Sequence, residues 1–222
     1  MFGKVAQRYD LLNSVMTLGH DRIWRRKAVR LSAVPQGGLL LDAGAGTGDI
    51  AIEALRHDPS VRTIAADFTL EMLETGKKRP EAHAINWCQA DALELPFQDN
   101  TFDTVISAYL LRNVSDRHRA LEEQVRVIKP GGRLVCLDTT PLSGGLLRPV
   151  VHFYLTFIIP VLGALLAGNR SAYAYLRDST KGYLRPEALA SLMLLSGIER
   201  VSFRRLMFGT QVLHVGICAK RE

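Results

Sequence analysis

Cysteine is scarce in this chain. Of 222 residues only Cys88, Cys136 and Cys218 are cysteines, and they stand far apart with no metal or redox spacing. That excludes a disulfide scaffold and a thiolate metal centre, and it fits a reducing cytoplasm. Cys136 and Cys218 lie in apolar runs and read as small buried thiols. The start, MFGKVAQRYD, lacks an apolar core and a small-residue cleavage site, so no signal peptide is expected. There is no zinc-finger or RNA-binding signature, no internal repeat and no low-complexity tract. Neither a metal nor nucleic acid is therefore expected as a partner.

Charge is missing from one long stretch. Pro149 to Asn169, PVVHFYLTFIIPVLGALLAGN, contains no Asp, Glu, Lys or Arg. Its length matches a bilayer crossing, but His152, Pro160 and its place inside an otherwise soluble α/β pattern argue against a span. The better readings are a helix pair lining an apolar pocket or resting on a membrane surface, and a plain buried core segment.

What is present suits one α/β domain: 47% of residues are hydrophobic, enough for a proper core. Net charge is +6, with cations gathered in HDRIWRRKAVR. That cluster reads either as a solvated helix face or as a patch for an anionic surface.

Strand and helix alternate along the chain, which predicts a mostly parallel sheet covered on both faces. Residues 1–31 read as helical. Leu39-Leu40-Leu41 is a short buried strand, Val61 to Ala66 a second and Ile85 to Gln89 a third, while FDTVISAYLL is apolar on both faces like a central parallel strand. RALEEQVRVI is an amphipathic helix that stops at a turn, Lys129-Pro130-Gly131-Gly132, before the strand RLVCLD. Pro186 opens the helix PEALASLMLLSG, and the last twenty or so residues read as an antiparallel strand pair joined around Gly209-Thr210. A single domain over 1–222 results, with a helical lid at 1–31 and an apolar helical insert at 142–185.

The strongest local signal is Leu41-Asp42-Ala43-Gly44-Ala45-Gly46-Thr47-Gly48-Asp49. A strand ending in glycines lets backbone approach a ligand closely, and the helix beyond offers free N–H groups. The spacing is G-x-G-x-G rather than the G-x-G-x-x-G of dinucleotide binders. Asp42 and Asp49 make the loop negative, which disfavours pyrophosphate and suits a ligand with an ammonium and a sulfonium. Asp67, about twenty residues beyond the glycines, can accept both hydroxyls of a ribose; it can also cap the helix TLEML. Asp91-Ala92 follows the third strand, where a side chain and an amide can meet an adenine edge. Ser107 lies toward the end of the fourth strand, in the same cleft.

Taken together, DAGAGTGD, Asp67, QADALELPFQDNTFD and IKPGGRL resemble class I methyltransferases. More narrowly, FGKVAQRYDLLNSVMTLGHDRIWRR and LRNVSDRHRAL resemble the ubiquinone/menaquinone biosynthesis C-methyltransferase family, with weaker support from AYAYLRDSTKGY and GTQVLHVGICA. The resemblance runs from Phe2 to about Ala219. It implies a Rossmann-like, seven-stranded, mostly parallel sheet with an antiparallel C-terminal pair, S-adenosyl-L-methionine as methyl donor, and C-methylation of a polyprenyl quinol. Cofactor contacts are implied at Thr47, Asp67, Asp91-Ala92 and Ser107, beside the loop residues Asp42, Gly44 and Gly46. Two positions depart from the family pattern: Asp91 stands where Asn is usual, and Tyr109-Leu110 where Phe-Gly is usual, which alters the pocket beside the cleft.

Methyl transfer to carbon needs alignment and an electron-rich ring. Arg112 and Asn113, just past the fourth strand, are the best-placed residues: Arg112 stays protonated and can stabilise a phenolate, and Asn113 can orient a hydroxyl. Tyr9, Asp10 and Asn13 share a helix face and read as a lid, with Tyr9 at the reacting ring. His20 and His152 are weaker candidates for a base. A lipophilic quinol is the expected partner, with peripheral contact at the inner face of a membrane; a homodimer is compatible with the sequence. The rivals are a methyltransferase of another lipophilic acceptor, a non-catalytic cofactor-binding subunit of a membrane complex, and a nicotinamide dehydrogenase. The glycine spacing argues against the last.

Overall fold

The computed structural model describes Thr17, residues 19–141, Pro149 and residues 183–219. Helix and strand alternate within them: α1 (His20–Ser32), β1 (Leu39–Ala43), α2 (Asp49–His57), β2 (Arg62–Asp67), α3 (Leu70–Lys77), β3 (Ile85–Gln89), β4 (Phe102–Ala108), α4 (Arg117–Val127), β5 (Ile128–Thr139), α5 (Pro186–Leu195), β6 (Ile198–Leu206) and β7 (Gln211–Cys218). Most of the expected lid, nearly all of the expected insert, and Tyr9, Asp10, Asn13 and His152 lie outside the described residues.

The strands form one seven-stranded sheet in the order β3-β2-β1-β4-β5-β7-β6. The first five pair in parallel, and β7 runs antiparallel to both β5 and β6. Only β7 is therefore reversed. The strand order turns back between β1 and β4, and in sheets of this kind the crevice beyond the carboxyl ends of the strands is where ligands sit.

Burial follows from the period of two. Leu40 and Leu41 are both fully buried yet point to opposite faces. Leu40 packs with Trp24, Ala28 and Val29 of α1 and with Ile50 and Ala54 of α2. Leu41 packs with Leu121 and Val127 of α4 and with Leu189 and Met193 of α5. Helices thus cover both faces, as near-continuous apolar strands require. Helix α4 begins at Asp116, whose carboxylate accepts the Arg119 N–H at 3.0 Å.

One expectation changes. Lys129-Pro130-Gly131-Gly132, read as a turn before the fifth strand, lies within β5. The pairing with β4 jumps from Phe102↔Ile128 to Thr104↔Arg133, so the extra residues form a bulge. Gly131 sits at φ 79°, and a Cβ on Gly132 would come within 2.7 Å of the Asp103 carbonyl oxygen. Glycine is needed here to let the strand continue.

Candidate active site

β1 delivers its last residues into the crevice, and the chain then turns through Gly44 and Gly46, both at positive φ. The Gly44 and Ala45 N–H groups donate to the Ala66 carbonyl at 2.8 and 2.9 Å, which staples the loop to the end of β2. A Cβ on Gly44 would lie 2.8 Å from Leu110, so glycine is obligatory at that point of closest approach. Helix α2 starts just beyond, with Gly48 at φ 83° as its N-cap.

Three aspartates surround this loop, each held differently. Asp42 is 1% exposed; one carboxylate oxygen accepts the Ala51 N–H at 3.1 Å, and the other, Oδ1, is buried without a hydrogen-bond partner. Burial pushes its pKa up to about 8; the Ala51 N–H opposes that rise, Asp49 and Asp67 reinforce it, and Arg25 opposes it. Asp67 accepts the Gly46 N–H and the Thr69 N–H, each at 2.8 Å. It therefore braces the glycine loop and the approach to α3 together. Asp91 accepts the Leu93 N–H at 2.9 Å and bridges to Glu94.

These elements enclose a hollow of about 410 Å³, ordinary for a small-molecule site. Asp42, Gly44, Gly46, Thr47, Asp67, Asp91, Ala92 and Asn113 of the expected residues all line it. Ser107 and Arg112 do not appear on its wall. Ser107 is 2% exposed and donates to the Cys136 sulfur at 3.5 Å, on the face of the sheet beneath. Arg112 is turned into a buried ion pair with Asp138, Nη1 to Oδ1 at 2.5 Å, and stacks 4.8 Å above the Tyr109 ring. His20 binds the Thr17 carbonyl at 3.1 Å at the start of α1, outside the wall.

Sequence reasoning missed several wall residues. Arg25, taken as part of a basic surface run, is buried; its Nη1 lies 2.5 Å from Asp21 and 3.0 Å from Asp49. Arg79 reaches the other oxygen of Asp49 at 2.6 Å. This network ties α1, α2 and the segment after α3 together at the rim. The signal was Asp21-x-x-x-Arg25, an i,i+4 pair that fixes which cation faces inward. Phe68, directly after Asp67, lines the hollow with its side chain largely exposed, and Leu93, Leu110 and Val114 supply apolar wall.

The arrangement suits S-adenosylmethionine. A buried carboxylate oxygen without a partner is costly unless a cation meets it, and an ammonium supplies one. The glycine loop leaves room that a Cβ would fill, and Asp67 and Asp91 stand where ribose and adenine can be read. Among the described residues no group of His, Cys, Asp and Glu is arranged to hold a metal ion.

Comparison with known proteins agrees. A model of the ubiE/COQ5 methyltransferase family matches residues 1–218. The chain is 46% identical over 217 residues to the ubiquinone/menaquinone biosynthesis C-methyltransferase UbiE of Desulfotalea psychrophila, covering 98% of this chain and 88% of that one. It is 40% identical over 218 residues to a demethylmenaquinone methyltransferase of Thermus thermophilus, with 97% and 99% covered. Among solved structures, an S-adenosylmethionine-dependent methyltransferase from Aquifex aeolicus superposes with a TM-score of 0.62 at 17% identity, over 88% of this chain and 89% of that one. That likeness is one of fold.

Proposed function

Since the chain belongs to the ubiE/COQ5 methyltransferase family, we propose that it moves a methyl group from S-adenosylmethionine to a ring carbon of an isoprenoid quinol. It is an S-adenosylmethionine-dependent methyltransferase acting in quinone biosynthesis. One observation carries the reading at the level of the site. The buried Asp42 carboxyl, one oxygen of which has no hydrogen-bond partner, borders a glycine-lined, carboxylate-rich hollow that continues into an apolar wall.

The bound cofactor supplies an electrophilic methyl group on a sulfonium. Asp42 receives its ammonium, Arg25 its carboxylate, Asp67 the ribose hydroxyls, and the Asp91-Ala92 pair with the Phe68 ring the adenine. Displacement at carbon needs the acceptor ring in line and enriched in electrons, and loss of a neighbouring hydroxyl proton enriches it. Asn113, on the wall, orients that hydroxyl, and Arg112, paired with Asp138 behind the wall, fixes the turn that carries Asn113. Both naphthoquinol and benzoquinol acceptors fit this chemistry, and the names of the relatives favour demethylmenaquinol.

The enzyme meets such acceptors at a membrane surface. Helix α1 turns Arg22, Ile23, Arg26, Arg30 and Leu31 outward, a basic face with two apolar contacts. Among the described residues no helix is long and apolar enough to cross a membrane. Incubation with labelled S-adenosylmethionine and either demethylmenaquinol or a polyprenyl benzoquinol tests the reading. Label in a ring carbon of at least one quinol is expected. Label on oxygen, or none in either quinol, overturns it.

A further inference from the structure

The penultimate residue of β5 has no role of its own in the account so far, yet its buried carboxylate accepts three hydrogen bonds. Asp138 stands 26 residues beyond Arg112 and accepts from it twice: Oδ1 from the guanidinium at 2.5 Å and Oδ2 from the backbone N–H at 3.3 Å. Its Oδ1 also accepts the Thr139 N–H at 2.8 Å. The Arg112 and Asp138 side chains are 5% and 2% exposed, so this pair is sealed from water.

The same strand end holds the other side of the turn. The Tyr109 N–H donates to the carbonyl of Leu137, the residue before Asp138, at 2.7 Å. Tyr109 itself sits at φ 60°, a left-handed conformation that a bulky residue keeps only when its surroundings impose it. Asn113 closes the turn: its N–H donates to Leu110 and its side-chain amide to the Tyr109 carbonyl at 2.7 Å. What this fastened turn offers the hollow is Tyr109, Leu110, Asn113 and Val114.

A long arginine side chain has many rotamers, and it becomes a directed group only when its planar fork is matched to a fixed acceptor. A short aspartate on a central strand is such an acceptor. We propose that Asp138 is a positioning residue for methyl transfer: by holding the Arg112 guanidinium and backbone N–H it fixes the Tyr109–Asn113 turn, and so sets how Leu110 and the Asn113 side chain meet the acceptor. Asp138 touches neither cofactor nor quinol and acts only through Arg112. The proposal rests on the quinol reading above.

The test is a double-mutant cycle on the full chain, with Asp138→Asn, Arg112→Gln and the two combined, using S-adenosylhomocysteine calorimetry beside initial rates on the quinol that the wild type labels. For Asp138→Asn, kcat falls at least about tenfold, while KM for the quinol and affinity for S-adenosylhomocysteine stay within about threefold. In the double variant kcat matches that of Arg112→Gln within about twofold, because Asp138 has nothing left to position. Wild-type kcat in a folded Asp138→Asn variant overturns the proposal, and so does a further loss of about tenfold in the double variant over Arg112→Gln. If Asp138→Asn alone does not fold, the comparison of Arg112→Gln with the double variant still decides, since the double variant leaves neither a buried cation nor a buried carboxylate unmatched. A wild type that labels no quinol defeats the quinol reading itself, a separate outcome from an indifferent Asp138.

Discussion

Asp42 is the residue on which the donor side turns. Its carboxyl titrates near pH 8 because burial penalises the charged form. The folded protein therefore keeps a proton that the unfolded chain has released between about pH 4 and about pH 8, so this group's contribution to stability declines as pH rises through that window. An ammonium set against Asp42 reverses the preference and draws the carboxylate out. Cofactor binding near pH 7 is thus expected to release a proton, seen by calorimetry in two buffers of different ionisation enthalpy. Asp42→Asn should bind without that release and about ten- to a hundredfold more weakly, the worth of a hydrogen bond to a charged group. Equal proton release in the variant would assign it elsewhere. Residue identity was legible here: Asp42, Asp67 and Asp91 all reached the hollow. Arg112 did not, because a sequence gives no sign that the carboxylate facing it lies on the next strand of the sheet.

At the scale of elements, the packing of β3 against α2 and α3 is set by one indole. Trp87 on β3 fills the space left by Gly48 and Gly76, and a Cβ on Gly76 would strike the Trp87 ring and lie 2.8 Å from the Thr47 carbonyl oxygen. A glycine-to-alanine change in the exposed middle of a helix normally gains up to about 1 kcal/mol, but Gly76 is buried, one residue from the end of α3. Here overpacking reverses the sign, and for Gly76→Ala a net loss of about 1–2 kcal/mol is expected in urea unfolding, with a shift in tryptophan emission. A variant as stable as the wild type would mean that β3 yields more readily than this packing allows. The elements themselves were largely readable: buried parallel strands write themselves as short apolar runs, as in Leu39–Leu41 and Val105–Ile106. The bulge in β5 was not, because glycine and proline punctuate a turn and a bulge alike. The inward arginine of α1 was hidden for a similar reason, since a run of cations does not say which one finds a partner.

For the whole molecule, the surplus of positive charge has a place. Arg22, Ile23, Arg26, Arg30 and Leu31 face outward on α1, with Ile23 57% exposed, and Arg26 pairs with Glu53 at 3.2 Å. At about 1 kcal/mol for each cation near an anionic surface, such a face gives reversible docking. Co-sedimentation with phosphatidylglycerol vesicles is expected, weakening as salt rises, and Arg22→Glu with Arg30→Glu should abolish it while leaving cofactor affinity alone. Equal binding to phosphatidylcholine vesicles would sink the idea. The sheet order has another outcome. The donor's cradle hangs from β1, β2 and β3, which grip one another along their length, whereas Leu110 and Asn113 belong to a connecting turn. Descendants of such a chain are free to trade acceptors by rewriting that turn, while their hold on the methyl donor passes unchanged from one lineage to the next.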